Sequence, residues 1–316
     1  MRAAPIRPHL APWYRLVELD DGLALEHAQA VVRLEGAAAK KLLPQLLPLL
    51  DGTRTVDELA ACLGERIRPA IEHALAVLAD HELLLEGPAA PDGGDGDTVA
   101  RLLGAAARRP DRDLARRLAA AAVAVAGSGR TAAEVARALH SAGVGNVGRA
   151  EWTAAPAADL VVAAPARDEV GRLGEWNRRA LAAERPWLQL LPFDGRFAAV
   201  GPLFLPHETC CHACYGLRRW ANVAYPAEFE AVESVPTAAA TPPPLASVVA
   251  GLGALLAARW LAVADPLLPG RLFALELRQG PAISMHHVYR VPRCPACSQV
   301  TVRPLPWFKE SGALAG

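Results

Sequence analysis

The sequence predicts an α/β protein in two parts: a small N-terminal winged helix-turn-helix unit of the α+β type, then a Rossmann-like domain with a four-cysteine zinc site. Three patterns support this fold class. Short alternating strands precede amphipathic helices in residues 13–87, a strand leads through a Gly-x-Gly turn into a helix from residue 123, and two Cys-x-x-Cys pairs occur late in the chain. Residues 1–12 are expected to form a flexible tail and residues 88–97 a linker, which leaves residues 98–316 for the larger domain.

Composition excludes several classes of protein. The 316 residues are enough for two domains with proper cores. The 33 basic and 33 acidic residues balance, which gives no electrostatic reason to expect nucleic acid or an anionic membrane as a partner. The N-terminus lacks the apolar core of a signal peptide, and the longest apolar run, residues 245–264, is interrupted by Arg259. The sequence therefore predicts a cytoplasmic protein, in which paired cysteines more often hold a metal than form disulfides.

The N-terminal unit is expected to contain three strands, three helices and a wing. The predicted elements are strands at 13–19, 22–27 and 30–34, helices at 37–50, 55–63 and 67–83, and a wing strand at 84–87. Pro44 and Pro48 should kink or split the first helix. Thr55 and Glu58 form a capping box at the start of the second helix.

Such a unit binds either DNA or a peptide. The third helix carries Glu72, Asp80 and Glu82 beside Arg68, a poor charge pattern for the major groove. A guest peptide would instead pair with the edge of strand 30–34 and lie against that helix. The sequence favours the peptide over DNA. The candidate peptide-binding residues are Ala30, Val31, Val32, Arg33, Leu34, Arg68, Ile71, Glu72, Leu75 and Leu78.

The larger domain begins like a nucleotide-binding α/β fold. A strand over residues 123–126 runs into Gly127-Ser128-Gly129, a turn of the phosphate-binding type, and then into a helix. Glu151 is the one candidate for binding a ribose at the end of the second strand, and the neighbouring Trp152 argues against this assignment. The further predicted elements are two helices in residues 98–120 with a break at Pro110, strands at 147–153, 159–164, 186–191, 197–202, 272–277 and 286–291, and helices at 132–142, 169–183 and 245–263.

Cys211-His212-Ala213-Cys214 and Cys294-Pro295-Ala296-Cys297 together provide four thiolates, and zinc is the metal that fits such a set. Because Cys211, Cys214, Cys294 and Cys297 would fill all four coordination positions, the site is expected to be structural. Cys210 is an alternative partner for Cys214, although Cys211 gives two matching pairs. His212 either coordinates the metal or, as we expect, points to solvent.

These motifs, in this order, resemble those of ubiquitin-activating-enzyme-like (ThiF/MoeB-type) proteins. The resemblance rests on the Gly-Ser-Gly turn, Ala142-Gly143-Val144-Gly145, Asp159-Leu160-Val161-Val162, Gly201-Pro202-Leu203-Phe204 and the two cysteine pairs. The preceding winged helix resembles the PqqD-like element that recognises precursor peptides. The combination resembles the leader-peptide-binding partner of YcaO-type cyclodehydratases, which form azoles in thiazole/oxazole-modified peptide biosynthesis.

The resemblance implies a function and a set of partners. The chain would bind the leader of a ribosomally synthesised precursor peptide and present it to a YcaO-type, ATP-dependent enzyme that makes azolines from Cys, Ser and Thr. By analogy it also allows a homodimer, because activating-enzyme-like domains are often dimers. The expectation of no nucleic acid or membrane partner rests on the composition, and that of structural zinc rests on the four cysteines.

Departures from the family pattern decide how the nucleotide motif is interpreted. An adenylating member would carry Asp-x-Asp after the second strand and an aspartate after the third, where this chain has Glu151-Trp152-Thr153 and Ala164-Pro165. Gly127 and Gly129 are therefore expected to be a vestigial cofactor site that does not bind ATP, and no residue of this chain is expected to be catalytic. Two alternatives remain: an ATP-dependent enzyme that adenylates a peptide carboxylate, and a winged-helix DNA-binding regulator.

Overall fold

The computed structural model describes most of the chain, and the described residues are 5–27, 30–87, 95–107, 113–233, 235, 240–278 and 280–298. Contacts between residues divide the chain into two compact units. The first comprises Met1–Ala121, His140–Gly145 and Ala258–Asp265, and the second comprises Ala122–Leu139, Asn146–Ala257 and Pro266–Gly316.

The border between the two units, after Ala121, does not lie at the predicted linker, residues 88–97. Residues 88–94 of that linker lie outside the described residues, but a helix already begins at Asp95. This helix, Asp95–Ala106, and the next one, Leu114–Ala120, belong to the first unit and not to the larger domain. Pro110, where the sequence predicts a break between them, is also outside the described residues.

The first unit contains a three-stranded antiparallel sheet with β3 in its centre and a separate pair formed by β1 and β5. The capping box is present, since the Glu58 amide donates to Thr55 Oγ1 (3.2 Å) and the Thr55 amide donates to Glu58 Oε2 (2.6 Å). As predicted, a Pro lies inside the first helix, which passes into a 3-10 segment at Leu47–Leu49. The elements are β1 Pro8–Leu10, β2 Arg15–Leu19, β3 Gly22–His27, β4 Ala30–Glu35, α1 Ala37–Leu46, α2 Val56–Leu63, α3 Arg68–Asp80, β5 Leu84–Glu86, α4 Asp95–Ala106 and α5 Leu114–Ala120.

The prediction of a flexible tail is wrong for its described part. β1 pairs antiparallel with β5, and the amides of Ile6 and Arg7 donate to the Glu86 carboxylate at 2.7 and 3.0 Å. Ala11 is buried. The physical reason is that β5 is only a short strand, and its backbone groups need a partner that local sequence patterns do not reveal.

The second unit is built on a seven-stranded sheet in the order β12-β11-β10-β9-β8-β6-β7. β7, β6, β8 and β9 are parallel, whereas β10, β11 and β12 add in antiparallel fashion. The sequence missed α8 and α9, and it placed the last strand at 286–291. The elements are β6 Ala122–Ala126, α6 Arg130–Ser141, β7 Asn146–Ala150, β8 Leu160–Ala163, α7 Leu173–Ala182, β9 Trp187–Leu191, β10 Phe197–Phe204, α8 His212–Trp220, α9 Pro226–Glu233, α10 Pro243–Val263, β11 Arg271–Glu276 and β12 Ala282–His287. The last residues of α6 and α10 fall in segments that are assigned to the first unit.

Alternation along β9 directs its side chains to two different layers of the second unit. Leu190 faces α10, where a Cβ added to Gly253 would lie 2.8 Å from the Leu190 Cδ2 atom. Trp187 faces the other side and packs against Trp176 of α7 (ring centroids 6.5 Å apart) and Phe204 of β10 (4.5 Å). This aromatic layer lies in the same buried cluster as the four paired cysteines.

Helix α10 is long and apolar enough to cross a membrane by length and composition alone. Half of its most apolar stretch (50%) is buried inside the protein, which is also the pattern of a core helix.

Candidate metal centre and binding surfaces

The structure brings together the four cysteines that the sequence singles out. Their sulfur atoms lie within 4.8 Å of one another, and all four residues are buried. The Sγ–Sγ distances are 3.9 Å for Cys211–Cys214, 3.7 Å for Cys211–Cys294 and 3.5 Å for Cys214–Cys297. A tetrahedral zinc ion with Zn–S bonds of about 2.3 Å requires sulfurs roughly 3.8 Å apart, whereas a disulfide requires about 2.05 Å. The set therefore fits a metal ion such as zinc and does not fit disulfides.

Helix α8 positions the first pair, because Cys211 is its N-cap residue and Cys214 lies in its first turn. The contact with the Cys211 thiol, followed by the Val291 amide at 3.3 Å, lowers the pKa of Cys214 and favours a thiolate. Cys210 does not belong to the cluster. Burial raises the pKa of Cys210 to about 12, so it remains a neutral thiol. Of the two pairings that the sequence left open, the geometry selects Cys211 with Cys214.

The expectation that His212 points to solvent is wrong, and this residue is not part of the sulfur cluster either. Its Nδ1 atom lies 2.6 Å from Oε1 of Gln189, and its amide donates to Oδ1 of Asn177 at 2.9 Å. Both partners are buried, and Gln189 also donates to the Gly201 carbonyl (3.2 Å). Burial lowers the pKa of His212 to about 4, which keeps the ring neutral at pH 7. His212 thus ties the start of α8 to β9 and α7.

Gly127 and Gly129 form the predicted turn between β6 and α6. Their φ angles are 129° and 87°, and a Cβ at Gly127 would lie 2.1 Å from the Ala164 carbonyl oxygen, so only glycine fits there. The amides of such a turn, at the start of a helix, form the usual phosphate site of this fold. Here a carboxylate of the same chain occupies that position, because the Ser128 amide donates to Glu169 Oε2 at 2.8 Å.

Two further donors hold the Glu169 carboxylate in this turn. The Ala166 amide donates to it at 2.9 Å and the Trp152 indole at 3.2 Å. Burial alone would raise the pKa of Glu169, but the hydrogen bonds from Ser128, Ala166 and Trp152 outweigh burial and hold this pKa below its ordinary value. Sequence reasoning missed Glu169, which is 41 residues from Ser128 and follows no motif. Trp152, the neighbour of the ribose candidate Glu151, thus supports this internal anion.

The candidate peptide-binding residues divide into two groups. Ile71, Leu75 and Leu78 have no exposed surface (0%), because they pack in the core of the first unit. A direct contact of these three side chains with a guest peptide therefore does not fit the structure. Arg68 is held by Asp57 (2.6 Å) and by other carboxylates, among them Glu65 and Glu72.

Strand β4 is different, because it lies at the edge of its sheet. The side chains of Val31 and Arg33 are exposed, while Val32 is buried and Leu34 is partly buried. The strand register also shows in which direction each backbone N–H and C=O group of β4 points. In an antiparallel pair of strands, hydrogen-bonded and non-hydrogen-bonded residue pairs alternate. The pair that closes the two-residue turn between β2 and β3, Leu19 and Gly22, is hydrogen-bonded. When this alternation is continued across β3 to β4, Val32 and Leu34 form the hydrogen-bonded pairs with β3. The N–H groups of Val31 and Arg33 therefore point away from β3, toward the free edge of the sheet.

Comparison with solved structures gives two groups of similar folds. The heterocyclase TruD superposes with a TM-score of 0.69 at 25% identity, over 93% of this chain and 43% of that one. A heterocyclase in complex with substrate and cofactor gives a TM-score of 0.67 at 25% identity, over 92% of this chain and 39% of that one. This chain thus spans less than half the length of these heterocyclases.

E. coli MccB is similar over nearly its whole length, with a TM-score of 0.67 at 15% identity, over 94% of this chain and 98% of MccB. MccB has been solved with ATP and, as the Microcin C7 biosynthetic enzyme, with N-formylated MccA. At this identity the likeness shows the fold alone. No protein-family model matches the chain, and no curated protein matches it. The chain therefore has the mixed α/β fold, with one large sheet, that these proteins share.

Proposed function

We propose that this protein binds the leader of a ribosomally synthesised precursor peptide and presents it to a YcaO-type, ATP-dependent cyclodehydratase. That enzyme would form azolines from Cys, Ser or Thr of the peptide. In this proposal the first unit is a winged helix of the PqqD-like type that captures the leader, and the second unit carries structural zinc and no catalytic residue. The protein would act in the cytoplasm.

The free edge of β4 is the observation that carries the proposal. Val31 and Arg33 offer backbone donors and acceptors to an added strand, which is how many domains bind extended peptides. The opposite edge, β2, is less suited, because Arg15, Leu16, Val17 and Glu18 are all exposed and give a guest strand no packed layer to extend. β4, in contrast, carries the buried Val32 and packs on α1.

The similarity to heterocyclases supports the biosynthetic context. This chain corresponds to less than half of TruD. We propose that the YcaO-type partner provides the cyclodehydratase chemistry, so that tethering the leader raises the effective concentration of a flexible substrate near that partner.

Two other functions have less support. An adenylating enzyme needs the glycine-rich turn for phosphates, and here Glu169 already accepts the Ser128 amide. A DNA-binding helix needs free positive charge, yet Arg68 of α3 is surrounded by Asp57, Glu65 and Glu72.

A proline at Val31 tests the proposal at the residue that would bind the leader backbone. The exchange Val31→Pro removes an outward N–H without breaking the β3–β4 ladder. We expect it to weaken binding of a fluorescently labelled leader peptide by about tenfold or more, because at least one backbone hydrogen bond is lost and a proline ring obstructs the edge. Fluorescence polarisation measures this affinity.

Glu18→Pro is the matched control, because the same register directs the Glu18 N–H outward on the opposite edge, β2. It should leave leader binding unchanged. Weaker binding by Glu18→Pro alone would place the leader on β2. Equal affinities of both variants and the parent would contradict strand addition, and no micromolar binding to the parent would contradict the proposed function itself.

A further inference from the structure

A large open cavity lies on one face of the second unit's sheet, with a volume of about 910 Å³. Its floor is apolar and comes from Leu191 of β9, Phe197 and Ala199 of β10, and Leu272 and Ala274 of β11. The strand register agrees with this arrangement, because Ala199 lies opposite Ala274. Cavities of this size and shape are the usual places where proteins bind ligands.

The walls of the cavity carry an excess of positive charge. Arg167, Arg196, Arg218 and Arg219 line it, and Asp194 is the one acidic residue among the lining residues that the structure describes. The Asp194 carboxylate already accepts the amides of Arg196 and Phe197 at 2.9 and 2.7 Å. Its single negative charge offsets at most one of the four guanidinium groups.

Two of the four arginines are already engaged. Arg196 pairs with Glu276 at 2.9 Å, and Arg219 lies over the rings of Tyr215 (5.6 Å) and Phe229 (5.0 Å). Within the described ranges, the guanidinium groups of Arg167 and Arg218 have no ion-pair or hydrogen-bond partner. Two such cations in the same cavity as an apolar floor favour a ligand that combines carboxylates with apolar groups.

An exposed edge strand, β12, lies at the rim of the cavity. His286, opposite Leu272 in the register, lines the cavity and belongs to β12, the last strand of the sheet. All residues of β12 are exposed, and its one strand partner in the described part of the chain is β11. An edge strand at a cavity rim suits an extended peptide better than a compact small molecule.

We infer that this cavity binds an acidic segment of an extended peptide, with Arg167 and Arg218 contacting its carboxylates. The inference rests on the proposed function and assigns the same precursor peptide a second contact, separate from the leader site on β4. A nucleotide is the competing ligand. The glycine-rich turn, which is the phosphate site of this fold, is occupied by Glu169 and does not line the cavity.

The test uses the full chain and a short fluorescein-labelled peptide of alternating leucine and glutamate, compared with its glutamine counterpart. We expect the glutamate peptide to bind at least about tenfold more tightly at low salt and to lose this advantage as salt rises. Arg167→Gln and Arg218→Gln should each weaken it about fivefold, as expected for partly screened charged contacts. Arg172→Gln is the control, because Arg172 belongs to the same 3-10 segment, Arg167–Arg172, but does not line the cavity.

Each other result overturns the inference. Equal binding of the two peptides, no binding of either, or equal weakening by Arg172→Gln would remove the acidic specificity of the cavity. Displacement of the peptide by ATP at lower concentrations than by unlabelled peptide would assign the cavity to a nucleotide. If the proposed function were wrong but the cavity inference right, the results would be different from these. The leader would not bind, while the glutamate peptide would still bind in a manner that depends on Arg218. Val31→Pro would bind the glutamate peptide as well as the parent protein does.

Discussion

Replacing Cys214 with serine is expected to release the metal and to lower the melting temperature of the protein by roughly 10 °C or more. Cys214 is completely buried (0% exposed) and its sulfur lies within 3.9 Å of both Cys211 and Cys297. A serine hydroxyl is a poor zinc ligand, so the remaining thiolates would lie buried without the charge that offsets their desolvation. Loss of a structural metal typically costs about 4 kcal/mol or more. Inductively coupled plasma mass spectrometry and thermal unfolding measure the two effects.

Cys210→Ser is the matched control for this substitution. Cys210 is the neighbour of Cys211 and is equally buried (2% exposed each), but its sulfur is outside the cluster. This variant should keep about one zinc ion per chain, as a four-thiolate site holds a single ion. Clearly less than one zinc in the parent protein, or zinc retained by Cys214→Ser and lost by Cys210→Ser, would contradict the assignment.

The parts of the fold that could be predicted are those that depend on residues close together in the sequence. The capping box of Thr55 and Glu58 involves neighbours in sequence and was found where expected. The buried parallel strands β6, β8 and β9 were predicted to within a few residues, because their apolar runs are bounded by turn residues. The four cysteines were identified because a metal site restricts both residue type and spacing.

Long-range pairing explains what the sequence missed. The limits of β12 are set by its partner β11, with Ala282 opposite Glu276, and not by the alternating pattern further along the chain. β1 is a strand because it pairs with β5, which is remote in sequence. His212 was expected at the surface because it lies between two metal ligands, yet buried amides of Gln189 and Asn177 attract it inward. None of these partners is recognisable from local sequence.

Replacing Glu169 with alanine should destabilise the protein by about 2 kcal/mol or more, because the Ser128 and Ala166 amides and the Trp152 indole lose their acceptor. Glu169→Gln, which keeps one acceptor oxygen but no charge, should lose about half as much. The folded-state pKa of Glu169 is lowered, so its stabilisation is present above the ordinary glutamate pKa of about 4.3 and is lost as pH falls through the lower folded value. The stability difference between the parent and Glu169→Gln should therefore shrink below about pH 4. Urea unfolding across pH measures it.

Glu175→Ala provides the control, since Glu175 also carries hydrogen bonds, but from Arg178 and Arg179 on the exposed side of α7. Surface pairs of this kind contribute little, so this variant should unfold like the parent. Added acetate should partly restore the melting temperature of Glu169→Ala and leave that of Glu175→Ala unchanged, because only the former frees amide donors at the start of a helix. A pH-independent difference for Glu169→Gln, or restoration of both alanine variants by acetate, would mean that the carboxylate does not act as the anion of the glycine-rich turn. If instead Glu169→Ala gained pyrophosphate exchange with ATP, the vestigial interpretation of Gly127 and Gly129 would be wrong, because removing one internal anion would have sufficed to restore an adenylating site.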